Sequence, residues 1–273
     1  ISATQVRGLT AAQIPAFQTS IVLDTTQLVA LSGSQIQSLT ATQIGGLSTR
    51  QVRAIETADL NVLTGVQVLG LTTAGVVALG TAGVVTLTTG AIAGLGTTNT
   101  TALTAAQITA LTSSQISALT TSQLANLSTT QVQSIEGADF NILTTTQLNA
   151  LGTTNIANLS ADQTVGLTST QAAGLTSANL NALSTKQIRF LQSTALTALS
   201  TSQLAAMSTA NFAALSINNA SSSTTHISAT QMDVAGNPSL AASKDFHFSG
   251  DEVLPPTIST VTGLNTTDDA YIN

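Results

Sequence analysis

A chain of 273 residues is long enough for one large domain or two ordinary ones, but only 7% of its residues are charged, where roughly 25% is typical. It has no Cys, hence no disulfide, thiolate metal site or Cys nucleophile, and its formal net charge of −6 with only six Lys and Arg argues against nucleic-acid binding, which needs clustered cations. A hydrophobic fraction of 42% is too high for simple disorder, and no apolar run reaches the ~18 residues that would cross a bilayer.

The chain opens inside a repeat. Ile1, Leu9 and Phe17 begin units of eight residues, with ISATQVRG as the first. With neither signal peptide nor initiator Met, the expectation is a mature or excised piece of a longer protein. The third unit is two residues short, so the register slips once at 17–23, just after Pro15. Terminal repeats are commonly atypical, which accounts for the slip.

From Leu23 the unit recurs 24 times without a gap and ends at Ala214. Its first position is Leu in 21 units, the others being Ile55, Ile135 and Met207. The second is Ser or Thr in 17, with Asp24, Gly80, Gly96 and Gly152 as further residues compatible with a helix cap. The fifth is Gln in 14, replaced by Asp at 59 and 139 and by Asn in four. The sixth is Val, Ile, Leu or Phe in 21, with Thr100, Thr164 and Ala172 as exceptions, and the eighth is mostly Ala, Gly or Ser.

Ser/Thr-x-x-Gln is a capping box: the hydroxyl accepts from the third helical N–H and the Gln side chain returns to the cap residue's own N–H. The Leu before the cap and the apolar residue five positions later are the halves of a hydrophobic staple. Each unit therefore encodes a helix start. One continuous helix is excluded, because a period of eight drifts about 80° per unit around a 3.6-residue helix and never builds one face. The pattern predicts a mainly α solenoid of short capped helices over 1–215. A β-solenoid is the alternative, since eight is even and would hold the leucines on one face of extended segments. Burying a Leu and an Ile contributes about 3–6 kcal/mol. Ordering eight residues costs about 12 kcal/mol. No unit folds alone, and stability must come from stacking on neighbours.

Within the array, LSTRQVRAIETADLNVL from Leu47 recurs as LSTTQVQSIEGADFNIL from Leu127, ten units later. Arg50, Arg53, Glu56 and Asp59 form its densest charge cluster, a candidate subunit contact or else a solvated stripe. No paired-carboxylate, Ser-His-Asp or metal-ligand spacing stands out, and the only histidines are His226 and His247. The expectation is a protein that is not an enzyme.

The pattern stops after Leu215. Residues 216–226 read as a polar linker, 227–250 as a β-hairpin around DVAGNPS, 251–256 as a second linker, and 257–273 as the opening strand of a further unit. The D-x-A-G-N-x-S turn at Asp233–Ser239, then Pro255–Ile258 and Asp268–Asn273, resembles tandem bacterial Ig-like domains. The octads are similar to Leu-Thr-x-x-Gln repeat regions of very large, low-charge bacterial surface proteins. The resemblance implies an extracellular or cell-surface structural protein of fibre, surface-layer or biofilm type that associates with itself. Its alternative is an adhesin presenting a repeated surface to glycan, host or ice. Asp251, Glu252, Asp268 and Asp269 fall where consecutive Ig-like domains would meet, a candidate calcium site of hard carboxylate oxygens.

Overall fold

The computed structural model describes residues 1–16 and 23–215, and the backbone of 225–229 and 242–246. From Leu23 onward each octad is one helix of four to seven residues, from Thr25–Val29 to Thr209–Leu215. Before them stand Ala3–Arg7, also α-helical, and Ala11–Ala16, a 3-10 helix with Pro15 inside it. The octad array is thus helical, and the β-solenoid alternative falls away.

The capping logic holds residue by residue. All fourteen units with Gln at position five form the complete box, as Thr112 does with Gln115 and Ser160 with Gln163. The cap residue is extended in each (Thr112 φ −72°, ψ 158°), so the chain turns at every cap and a new helix begins. Three capping expectations need correction. Gly80, Gly96 and Gly152 lie at φ of 65°, 71° and 73° and cap nothing. These left-handed glycines carry the chain directly from one helix into the next, a conformation in which a side chain is strained. The same three units have Gly83, Asn99 and Asn155 at position five, so hydroxyl and returning arm are absent together.

Each helix packs on the helix three units later, as Gly65–Leu69 does on Thr89–Gly94 and Ala41–Gly45 on Gly65–Leu69. Three octads therefore make one turn of the coil, and the helices form three columns. The 24 units from Leu23 complete eight turns. Positions one and six point into the common core: Leu95, Ile92, Leu119, Ile116 and Phe140 are all buried. The exceptions at position six also go inside. Thr100 and Thr164 are fully buried and turn their hydroxyls back onto the Gly96 and Ser160 carbonyls, at 2.6 and 2.7 Å, as Thr does within helices.

Stacking also explains the small eighth position. A Cβ on Gly70 would lie 2.2 Å from the Ala41 carbonyl oxygen, and one on Gly174 would lie 2.3 Å from Thr145 Cγ2. Both contacts join position eight of one unit to position three of a unit in the preceding turn. Where position eight is larger, as at Val62, its partner at position three is Gly33.

The register slip at 17–23 falls mainly on residues outside those described, yet its effect is visible on both sides. The paired Gln rungs elsewhere span 28 and 31 positions, as from Gln163 to Ile135 and Val132. From Gln35 to Leu9 and Val6 they span 26 and 29. The difference of two equals the number of residues by which the unit is short, so the described units on either side keep the same cross-turn partners. Near the C-terminus Thr225–Ala229 pairs antiparallel with Ala242–Phe246, Ile227 opposite Lys244. The other residues assigned to the Ig-like segment, among them Asp251, Glu252, Asp268, Asp269 and His247, lie outside the described residues, and so does the calcium expectation.

Candidate functional site

Among the described residues no single cleft gathers reactive groups, so the candidate site is the repeated surface and the polar ladder that holds it in register. The ladder is built from one side chain used at both ends. A helix of five or six residues leaves nearly all its terminal N–H and C=O groups without intrahelical partners. In Gln163, Oε1 accepts from the Ser160 N–H at 3.0 Å, and Nε2 donates to the Ile135 and Val132 carbonyls of the preceding turn at 2.8 and 2.7 Å. Gln115 repeats this with Thr112, Leu87 and Val84, and Gln203 with Ser200, Leu175 and Ala172. Each Gln caps its own helix and donates to carbonyls of the preceding turn, in most units those that end a helix there. Twelve of the fourteen are buried, and among the described residues no buried side-chain nitrogen or oxygen lacks a partner. The capping box alone would accept Glu as readily as Gln. The cross-turn bonds explain why Gln is used, since only the amide also donates.

Asn at position five keeps the cross-turn arm but is too short to return to its own cap. In the two such units with a hydroxyl cap, a second Asn compensates. The Thr176 N–H is accepted by Asn149 Oδ1 of the preceding turn at 3.0 Å, and the Ser208 N–H by Asn181 Oδ1 at 2.8 Å. Asn149 and Asn181 also donate to the Gly174 and Ala206 carbonyls. Position five of one unit and position seven of a unit in the preceding turn thus work as a pair, Asn179 with Asn149 and Asn211 with Asn181. This relation is hidden until the turn length is known.

The sequence-predicted charge cluster is divided by the fold. Arg50 and Arg53 lie exposed on Thr49–Ala54, whereas Glu56 and Asp59 belong to the next helix and the next column. No ion pair joins the four. Burial, with the Glu56 carboxylate nearby, raises the Asp59 pKa above its ordinary value. Its counterpart ten units on, Asp139, accepts a hydrogen bond from the Ser113 hydroxyl. Asp59 meets Gly33 at that place instead. Because ten units are three turns and one column, the echoed charges sit on different faces.

The column that starts at Thr25–Val29 runs through helices at Thr49, Thr73, Gly96, Thr121, Thr145 and Ser169 to Ser193–Thr197. At positions three and four of its eight units, every residue except Arg50 and Ala74 is Thr or Ser. In the other two columns only ten and six of the sixteen are Thr or Ser at the same positions. All sixteen side chains of the first column are exposed or half-exposed. Along this column runs a two-wide ladder of hydroxyls whose one charged position is Arg50, with the exposed Arg53 and the cap Asp24 beside it.

Among the described residues no helix is long and apolar enough to cross a membrane. Comparison with curated proteins returned no match. The ALTTAQ repeat family model matches residues 52–89 and 132–169. The two matches begin ten octads apart, the spacing of the internal echo, and lie within the helical array. The chain is a repeat protein built of short stacked helices, similar in these two stretches to the ALTTAQ repeat.

Proposed function

We propose that the chain is a non-enzymatic structural subunit of a bacterial extracellular fibre, surface layer or biofilm matrix, and that it acts by self-association. The observation that carries this is the hydroxyl ladder of the first column. Every Thr or Ser there is both donor and acceptor, Arg50 is the one charge among its sixteen positions, and its pattern repeats with each turn. A second copy can therefore meet the ladder in register, with like charges confined to the turn of Arg50 and Arg53. The self-association test is negative-stain microscopy and sedimentation of the purified chain at micromolar concentration. Assemblies of uniform width that dissolve in the Thr98→Lys/Thr146→Lys/Thr170→Lys variant are expected. The same number of lysines at Ser114, Ala138 and Ala210, in the third column, should leave them intact. A second reading, a binding module whose ladder meets a glycan or another repetitive polar surface, draws on the same face. Persistent monomers with saturable polysaccharide binding would select it.

A further inference from the structure

The cross-turn amide ladder is continuous except at six units, whose position five is Asp59, Gly75, Gly83, Ala91, Asp139 or Ala195. Three of these are consecutive. Since three units make one turn, Gly75, Gly83 and Ala91 remove every rung between the turn 47–70 and the turn 71–94. Neither Gln nor Asn stands where it would reach the Leu47, Ile55 or Leu63 carbonyls, which correspond to Leu87 for Gln115 and Leu175 for Gln203. Apolar and backbone contact takes over. A Cβ on Gly83 would lie 3.2 Å from Leu60 Cδ1, and one on Gly94 would lie 2.2 Å from Gly65 Cα. Both flanks are stitched: Gln67 reaches Ile36 and Leu39 below, and Gln107 and Gln115 reach Val76, Val84 and Leu87 above. Among the described residues, four of the nine exposed large hydrophobics, Val66, Leu69, Val77 and Val85, also fall in the two turns that meet there.

Amide-to-carbonyl bonds have direction and fix two turns in one register, whereas apolar contact is non-directional. We propose that the boundary between residues 47–70 and 71–94 is a parting plane, the place where the native solenoid opens first, independently of what the protein binds. Helices of four to seven residues do not persist without stacking, so an opening there exposes the amides of both adjoining turns.

Hydrogen exchange of the full chain, followed by mass spectrometry, tests this. Peptides from 47–63 and 71–94 should exchange at least tenfold faster than those from 111–134 and 143–166. The Gly75→Gln/Ala91→Gln variant should reverse the difference. The Thr72 and Thr88 hydroxyls already accept from the amides of 75 and 91, at 3.0 and 3.1 Å, so each new Gln completes a box and adds the missing donor. Gly75→Glu/Ala91→Glu has similar helix propensity and completes the box without that donor, and should leave exchange fast. Equal slowing by Gln and Glu, or wild-type rates within threefold of the reference peptides, would overturn the proposal. Should the Gln variant not fold, the reverse arm decides. Gln115→Ala/Gln123→Ala/Gln131→Ala removes the rungs of one intact turn and must create a second fast-exchanging plane at 87–134. Unchanged exchange there would overturn the proposal as well.

Discussion

Replacing Gln163 by Glu separates the two jobs of the ladder residue by the sign of one number. The Gln163 side chain is fully buried, accepts from the Ser160 N–H and donates to two carbonyls at 2.7 and 2.8 Å. If capping were its whole role, Gln163→Glu would be neutral or stabilising by about 0.3–1 kcal/mol, because a carboxylate near a helix N-terminus is favoured. The structure instead sets a carboxylate oxygen against two carbonyl oxygens. Two hydrogen bonds worth about 1 kcal/mol each are lost, two acceptors stay buried, and a charge is buried without a partner. Together these give a destabilisation of about 3–5 kcal/mol at neutral pH. The new carboxyl is then held well above its unfolded pKa. The folded state binds the proton more tightly, so stability rises as pH falls from neutral through the folded pKa toward the unfolded one, and is lost again as pH rises. Urea titration at several pH values, with hydrogen exchange of peptides around 132–135 and 160–167 to localise the loss, measures this; a stacked array need not unfold in two states. A Gln163→Glu variant within about 0.5 kcal/mol of wild type at pH 7, an ordinary surface effect, with no gain on acidification, would refute the cross-turn role.

Three further outcomes follow from particular contacts. Asn149→Ala should destabilise by about 0.5–1.5 kcal/mol by taking the protein acceptor from the exposed Thr176 N–H. Asn179→Gln should restore part of that loss, since Gln reaches its own cap, and a double-mutant cycle by urea denaturation measures the coupling. Gly94→Ala should destabilise despite the better helix propensity of Ala, because its Cβ meets the Gly65 backbone. Gly90→Ala should stabilise by about 0.5–1 kcal/mol, having only Thr88 Oγ1, at 3.9 Å, within 4 Å; melting temperatures of opposite shift are the check. Gly33→Ser should place a hydroxyl beside Asp59, where Ser113 serves Asp139, and return the Asp59 pKa toward its ordinary value. Wild-type stability contributed by Asp59 should rise as pH falls from neutral through its raised pKa, and that rise should shrink in the Gly33→Ser variant, as followed by NMR titration and by stability against pH.

The local structure of this protein is legible in one octad. Ser or Thr, two residues and Gln specify a cap, and Leu and Ile at positions one and six specify the buried side, because capping and stapling act within a single helical turn and need no knowledge of the rest of the fold. The glycines at 80, 96 and 152 escape the capping rule for a related reason: Gly is tolerated as a cap, and nothing local distinguishes that use from a left-handed link between two helices.

Tertiary structure decided how many octads close a turn. Three per turn brings position eight against position three, Gln Nε2 against carbonyls of the preceding turn, and Asn149 against Thr176, all relations at separations with no counterpart in the period of eight. It also splits Arg50 and Arg53 from Asp59, gathers the hydroxyls of every third unit into one face, and makes the run Gly75, Gly83 and Ala91 a complete turn without a rung. A capping box is a contact within four residues and is written in the sequence. A column, a face or a seam is a contact between turns, and depends on the coil's geometry.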